Sequence, residues 1–401
     1  MSSAAPEHPA ERVLIAGGGI GGLATALALA KHGIPSIVLE RRLIFGEDGA
    51  GIQIGPNGAR ILERLGAAAH LRARAITPNA LRILDAAKAR EIATFPLGRW
   101  IAERHGAPYW VVHRRDLHVA LLTAAEREPL ITLRMGFEAA SLEDERGGVR
   151  ISSEGEDAET VRGRAAVVAD GAWSSLRLRA FGGGLADFTG KTAARTVIPI
   201  DAMPEALHRQ EVHLWLGPNV HVVHYPVSAG HAVALVAIFD DARIANDWST
   251  VRNREWMMRR AQSFAPLLRD LLARPDEWRS WPLLALKKPP RFASGRRALL
   301  GDAAHPILPF LAQGGVMALE DAVVLADELS QSPEDPAAAF LAYETARRAR
   351  VRRVAGASRA NGRIYHLGGA LAAARNVALA HVPGERFMKR FDWLYGWRPP
   401  A

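Results

Sequence analysis

Residues 13–40 read VLIAGGGIGGLATALALAKHGIPSIVLE, and the order of residue types in this stretch sets the class of fold. An apolar run at 13–16 enters a glycine turn. Gly17, Gly19 and Gly22 stand at G-x-G-x-x-G spacing, an Ala/Leu-rich run fills 23–30, and a second apolar run at 37–39 ends on Glu40. Strand, tight turn, helix, strand and acid, in that order, make a dinucleotide-binding βαβ unit. One glycine permits the turn, one lets a pyrophosphate approach the backbone, and one lets helix and strand pack closely. The helix start then offers free N–H groups and a positive dipole end to phosphates. Glu40 follows Gly22 by eighteen positions and can accept hydrogen bonds from a ribose. The rival reading is a glycine-rich turn in some other α/β protein.

The chain around this unit has 401 residues and 49% hydrophobic content, enough for two packed domains and too apolar for disorder. The Ala-rich segments are short and interrupted by charge, so no membrane span is expected. The N-terminus, MSSAAPEHPAER, has no apolar signal core, and a cytoplasmic protein is expected. There are no cysteines, which excludes disulfides, thiolate metal sites, a redox-active dithiol and a flavin attached through cysteine; no metal site is expected. The formal net charge of +9 comes mostly from arginine. Those arginines are scattered among acids, without a long run or interleaved aromatics, so no nucleic-acid partner is expected. The densest group, Arg347 to Arg353, falls in a predicted helix and reads as a solvated face. The positive balance also suits small anionic cofactors and substrates.

No internal repeat or low-complexity linker interrupts the chain. Pro56-Asn57 opens a helix through Leu65, with Asn57 as its cap. Residues 81–84 and 91–95 predict a short β pair. A strand at 111–112 leads into a helix through Ala125 that Asp116 caps. Residues 131–135 and 149–152 predict strands of a small sheet, and 165–169 a buried strand that stops at Asp170. From Leu185 strand follows strand, at 192–200, 211–216, 220–227 and 232–239, which predicts an antiparallel sheet. A helix at 253–272 follows; a short strand at 298–300 then ends in Gly301-Asp302, and Gly314-Gly315 opens a helix to about 329. The predicted class is α/β: a Rossmann-like nucleotide domain with an inserted antiparallel-sheet domain and a C-terminal helical segment. Its predicted divisions are 1–184 and 291–335 for the two parts of the nucleotide domain, 185–290 for the sheet and helix of the substrate domain, and 336–401 for the C-terminal helices.

Three blocks belong together. They are the glycine turn with Glu40, the D-G-x-x-S-x-x-R pattern from Asp170 to Arg177, and GDAAHPILPFLAQGGVMALEDA at 301–322. Over nearly the whole chain they resemble the FAD-dependent aromatic hydroxylases, single-component flavoprotein monooxygenases of the p-hydroxybenzoate-hydroxylase fold. VHLWLGPNVHVVHYPV at 212–227 and the closing FDWLYGW at 391–397 are similar to its salicylate hydroxylase-like and 3-hydroxybenzoate 6-hydroxylase-like branch. The resemblance implies a non-covalent FAD in a GR2-type Rossmann-like domain. It implies that Asp302 hydrogen-bonds the ribityl chain, that Arg114 lies over the pyrophosphate, and that Glu40 holds the adenosine ribose with Arg41 beside the adenine. Gln53 is implied near the ribityl chain or isoalloxazine, and Gly315 and Val316 as backbone donors to the flavin pyrimidine edge. A helix start there suits an anionic reduced flavin. Asp170 and Arg177 are implied in pyrophosphate and NAD(P)H contact, and His305 in shaping the flavin loop. No second G-x-G-x-x-G exists, in keeping with a family that binds NADH or NADPH transiently. Its members are often dimers, so a homodimer is an expected form.

Alternation along the strands gives the substrate side. Val212, Leu214 and Leu216 form one apolar face, leaving His213 and Trp215 opposite, while His221, Val223 and Tyr225 share a face that suggests a phenol pocket. In the resembled branch a His and a Tyr at H-x-x-x-Y spacing contact the substrate, and that role falls on His221 and Tyr225. His221 is the expected base for a phenolic proton, Tyr225 its orienting partner and His213 a third catalytic candidate. The implied reaction is reduction of FAD by NAD(P)H, addition of O2 at the flavin C4a to give a hydroperoxide, and attack by the ring of a salicylate- or hydroxybenzoate-like acid. Two departures leave open a hydroxypyridine or a larger aromatic such as a quinolone. Pro309 stands where 3-hydroxybenzoate 6-hydroxylases tend to carry Gln, and Phe310 where 6-hydroxynicotinate 3-monooxygenases tend to carry His. A reductase or dehydrogenase on the same fold, needing no oxygen, is the reading from another class.

Overall fold

Val13–Ala16 is apolar at every position and buried at every position, the signature of a strand covered on both faces. It is central in a six-stranded sheet of order Ala293–Ser294, Arg297–Leu299, Ala165–Val168, Val13–Ala16, Ser36–Glu40, Ile131–Met135. All neighbours are parallel except the first pair. The computed structural model describes residues 11–45, 50–155, 158–182, 184–241 and 249–399. Residues 1–10, most of the stretch read for a signal core, lie outside the described residues. Among the described residues no helix is long and apolar enough to cross a membrane.

Ile131–Met135 is an edge of this parallel sheet and not part of a small separate one. Edge strands are half-buried, and the intermediate exposure of four of its five residues is what made it resemble a surface strand. The separate small sheet consists of Ala139–Glu145, Gly148–Ser153 and Thr160–Gly163.

The second large sheet has eight strands, in the order Thr250–Asn253, Glu277–Ala285, Asp187–Pro199, Ala232–Asp240, Val220–Val227, Val212–Gly217, Ala80–Asp85, Glu91–Pro96. The β pair at 80–96 therefore crosses from the first segment of the chain into this sheet, joining it through the parallel pairing of Val212–Gly217 with Ala80–Asp85. One face holds Trp215, Val222, Leu235, Ala237 and Trp278 under the helices Arg254–Arg260 and Pro266–Ala273. The expected single helix at 253–272 is these two, divided where Pro266 takes the first position of the second. The other face carries Leu214, Leu216, Tyr225 and Ala234 into the core of the nucleotide domain.

Two expected caps are corrected. Gly55 caps the helix Pro56–Arg64, and Asn57 lies inside it, donating its buried amide to Gln313 Oε1 at 3.0 Å and Glu320 Oε1 at 2.8 Å. His113 caps Arg114–Glu126 by accepting from the Arg115 N–H, and Asp116 sits in the first turn.

The arginine-rich segment is corrected in part: Arg348, Arg352 and Arg353 are exposed, but Arg347 and Arg350 are not. Arg347 is 1% exposed; its Nη2 stands 2.9 Å from Glu320 and its Nε 2.7 Å from Asp321. Arg350 Nη2 reaches Glu320 at 2.7 Å, and the same guanidinium donates to the carbonyls of Trp393 and Leu394 at 2.6 and 2.9 Å. The acids lie on the helix Gly314–Gln331 and the arginines on the helix Pro336–Tyr365. Burial pushes the Asp321 carboxyl up, but His305 and Arg347 outweigh it and hold the group down to about 2. Removing one partner of a buried pair leaves an uncompensated charge. Arg347→Met should therefore lower stability by about 3–5 kcal/mol in urea denaturation.

Candidate active site

The three glycines of the turn have separate, visible tasks. Gly17 has φ +110, and a Cβ there would stand 2.6 Å from the Ala169 carbonyl oxygen. A Cβ on Gly22 would stand 1.9 Å from the Gly17 carbonyl oxygen, so only glycine lets the helix lie this close. Gly19 meets nothing within 4 Å and precedes the helix Ile20–Lys31 with no side-chain cap. That leaves an open, positively polarised helix start, suited to a pyrophosphate. Glu40 is buried at the end of its strand, accepting from the Gly18 N–H at 2.8 Å and the Arg42 N–H at 3.0 Å. Arg41 beside it is exposed, 3.9 Å from Glu138.

A second helix start lies close by. Gly314–Gln331 has no side-chain cap, and a Cβ on Gly315 would press Ile52 Cδ1 at 2.9 Å and approach Ile20 Cδ1 at 4.0 Å. Val316, next to it, is buried. Gln53, one residue past Ile52, accepts from the Tyr109 hydroxyl at 2.6 Å. Asp302 occupies the short turn Gly301–Ala303. It is exposed, yet desolvation by surrounding protein pushes its carboxyl up, while His305, Arg114 and Arg195 draw it down. An exposed carboxylate at such depth opens into a cleft and not onto the outer surface. Arg114 is exposed at the start of its own helix. A pyrophosphate cradle, a ribose-accepting acid, a cationic Arg and a deep carboxylate make a donor set that fits a flavin dinucleotide.

Two residues of the other motifs are structural braces. Arg177 is 1% exposed, and its guanidinium donates to the carbonyls of Ala303 and Ala172 at 2.9 and 3.0 Å. It ties the D-G turn to the Asp302 turn. Burial pushes up the Asp170 carboxyl, which Ser174 hydrogen-bonds. His305 Nε2 lies 2.6 Å from Asp321 Oδ2, which also accepts from the Gly301 N–H. His305 thus anchors the loop.

The inner sheet face brings His221, Val223 and Tyr225 beside Ile238, Val236 and Ala234, and these beside Ala193, Arg195 and Val197. The Tyr225 ring lies where a Cβ on Gly51 would meet its Cε2 at 2.5 Å, so Gly51 makes room for it. Burial pushes the Tyr225 hydroxyl up, against the pull of Arg195 and a hydrogen bond with Gln53; it stays a phenol, able to donate. His221 is buried among the rings of Phe310, Tyr365 and His366, with centroids 5.4, 5.3 and 5.1 Å away. Burial, then His366 and Lys191, hold it well below the ordinary imidazole range, so it begins neutral.

His213 does not join them. It pairs across the strands with His224, and the two rings stack at 4.4 Å and 7° on the opposite face, with Trp215. Alternation put His213 beside Trp215, and that face is the one roofed by the Arg254–Ala273 helices. Burial lowers His213 to about 4 and His224 well below its usual value.

Arg195 was missed by the sequence reading. The signal available was a lone cation at an inward position between Ala193 and Val197. It lies over the Trp281 ring at 5.5 Å, and among the described residues its Nε has no hydrogen-bond partner. Its electrostatic neighbours are Arg114, Tyr225 and Asp302, so the expected cofactor and substrate residues converge on it. A surface concavity of about 540 Å³ lined by His381, Pro383 and Arg386 is remote from this cluster and holds none of it. Among the described residues no group of His, Cys, Asp and Glu is placed to hold a metal ion.

The family described as FAD binding domain matches residues 11–358. A 3-hydroxybenzoate 6-hydroxylase of Polaromonas naphthalenivorans is 36% identical over 98% of this chain and 97% of its own length. A 3-amino-4-hydroxybenzoate 2-monooxygenase of Streptomyces platensis, PtnB3, is 34% identical over 96% of each chain. Among solved structures, Klebsiella pneumoniae HpxO complexed with FAD and uric acid superposes with a TM-score of 0.82 at 27% identity, over 94% of this chain and 95% of that one. A salicylate hydroxylase substrate complex does so at 0.79 and 25%, over 97% and 96%.

Two outcomes follow from the site. Losing the Asp302 carboxylate in Asp302→Ala should weaken FAD by about tenfold or more, the worth of one charged hydrogen bond, read by flavin fluorescence titration. The stacked histidines are deprotonated when folded and protonate readily when unfolded, so the unfolded state binds more protons below pH 6.5. Stability is complete above that pH and falls as pH drops toward 4, by up to about 1.4 kcal/mol per unit for each histidine. In His213→Gln the slope of unfolding free energy between pH 6 and 4.5 should shrink by about one proton.

Proposed function

The chain belongs to the FAD-dependent aromatic hydroxylases, and from that we propose that it uses NADH or NADPH and O2 to hydroxylate a monocyclic phenolic acid of the salicylate or hydroxybenzoate kind. The observation that supports this is the single sheet face shared by His221, Tyr225 and Arg195. Relatives named for 3-hydroxybenzoate and for salicylate support the same size and charge of substrate. In this reading the enzyme works in the cytoplasm, where NAD(P)H is supplied.

The Gly17–Gly22 turn, Glu40, Arg41, Gln53, Arg114, Asp302 and the amides of Gly315 and Val316 would hold FAD, which would supply the redox chemistry for putting one oxygen atom on the ring. The chain's own side chains prepare the ring for it. His221, neutral and buried, takes the phenolic proton and so makes the ring electron-rich. Tyr225 keeps its proton and donates a hydrogen bond that orients the substrate oxygen. Arg195 takes the carboxylate, a pairing whose fork geometry fixes the ring in its plane. On adjacent strands about 4.8 Å apart, Val223 and Val236 form the apolar floor between base and cation. Phe310 and Tyr365 cover His221 and keep water from the reacting groups.

The test is a purified, FAD-loaded enzyme given NADH or NADPH with a panel of hydroxybenzoates, hydroxypyridines and quinolones, with products identified by mass. The expected result is a hydroxybenzoate that accelerates oxidation and gains one oxygen; acceleration without oxygen uptake would sink the monooxygenase reading. Arg195→Met should raise KM for that acid about 10–100-fold, the loss of one charged pair, and leave KM for its methyl ester unchanged. Equal effects on acid and ester would remove Arg195 from carboxylate recognition.

A further inference from the structure

His221 cannot hold a proton for long. It is buried, it has aromatic rings on two sides, and the groups facing it from the other elements are Tyr365, His366 and Lys191. A buried imidazolium beside a second histidine and a lysine is unfavourable, so a base in this position needs somewhere to send what it accepts. Continuous hydrogen bonds lead away from it. His221 Nδ1 is 2.9 Å from His366 Nε2, and His366 Nδ1 is 2.7 Å from Asp240 Oδ1. Lys191 Nζ is 3.1 Å from the same His366 nitrogen and also bonds Asp240. His366 is 4% exposed and Asp240 39%, so the chain runs from the interior to solvent.

We propose that His366 and Asp240, with Lys191, form a proton channel that carries the substrate's phenolic proton from His221 to the protein surface. This rests on the reading of His221 as the base. A carboxylate only accepts, so Asp240 fixes His366 as the Nδ1–H tautomer and leaves its Nε2 bare. His221 must then donate through Nδ1, and its Nε2 carries the free lone pair. When the substrate O–H breaks and a bond to His221 Nε2 forms, the His221 Nδ1 proton moves to His366 Nε2. The His366 Nδ1 proton moves to Asp240 Oδ1 and on to water. No electrons are exchanged. In the final arrangement His366 Nδ1 is bare, and the Lys191 ammonium can donate to it. Both proton orderings are therefore hydrogen-bonded throughout, and returning a proton to the product's phenolate restores the first.

The fold holds the parts in register. Lys191 and Asp240 are cross-strand partners, Asp240 being the last residue of its strand. The turn at Pro218-Asn219 grips both remaining members: the Asn219 N–H donates to the His366 carbonyl at 3.1 Å, and the Asn219 carbonyl accepts from the Asp240 N–H at 2.9 Å. Asn219 has φ +58, a left-handed conformation that asparagine tolerates. His366 itself terminates the helix Pro336–Tyr365.

Two measurements on the FAD-loaded enzyme test the channel. The first needs no substrate: ¹⁵N NMR of histidine-labelled protein should find His221 protonated on Nδ1. In Asp240→Ala the Lys191 ammonium is left as the partner of His366 Nδ1, so His221 should switch to the Nε2–H tautomer. The second mixes enzyme with 3-hydroxybenzoate and a pH-indicator dye, without NAD(P)H. Proton release to bulk should slow at least tenfold in Asp240→Ala and His366→Phe, with Kd changed less than threefold. An unswitched tautomer, or release at the parent rate in both variants, overturns the channel. If His221→Phe also releases a proton at the parent rate, it is the base assignment that fails. If His221→Phe alone abolishes release, the base stands and the channel falls.

Discussion

Glu320 and Asp321 are both 0% exposed, adjacent on one helix, and each must be paired to be tolerated there. That requirement holds four parts of the molecule at once. Arg347 and Arg350 tie in the long C-terminal helix; through Arg350 the carbonyls of Trp393 and Leu394 fix the closing segment. Asn57 brings in the helix at 56–64. His305 and the Gly301 N–H bring in the turn that carries Asp302. The helix Gly314–Gln331, whose start carries the proposed flavin donors, is therefore positioned from its buried interior. An open helix start cannot brace itself through caps, and here the bracing lies about two turns further in.

The eight-stranded sheet separates two environments with the same residue types. On its outer face His213 and His224 are packed away with tryptophans, and among the described residues the nitrogens His213 Nδ1, His224 Nδ1 and His224 Nε2 have no hydrogen-bond partner. On its inner face His221 and Tyr225 each have a partner that belongs to another part of the chain, His366 and Gln53. The period of two along a strand assigns each residue to a face but does not say which face meets the cofactor. What lies above each face decides which histidines are packed away under helices and which one meets side chains from another part of the chain.

Much of the site was readable from local pattern. The glycine turn, Glu40, the Asp302 turn and the helix start at Gly315 are each encoded within a few residues. The sharing of a face by His221 and Tyr225 followed from strand alternation. What was not readable depended on distant partners. Arg347 reads as a surface arginine until two acids 26 and 27 positions earlier are known to face it. Asn57 reads as a cap until Glu320 is seen beside it. His366, 145 positions from His221, carries no motif at all. Arg195 was within reach, because a lone charge on an apolar strand face asks for a ligand or a partner.

The hairpin at 80–96 bears on how the chain reaches this state. It completes a sheet whose other strands come from 187–285, while in the six-stranded sheet Ala165–Val168 waits for Arg297–Leu299 on its outer side. Neither sheet can be assembled from one continuous stretch of chain. During synthesis the hairpin must wait for Val212–Gly217, and Ala165–Val168 for Arg297–Leu299, each across a long intervening stretch of chain, and loop closures of this length are slow. The interleaving that makes cofactor and substrate halves act as one body also makes them inseparable: a break near residue 184 would leave two fragments, each holding strands that only the other can shelter.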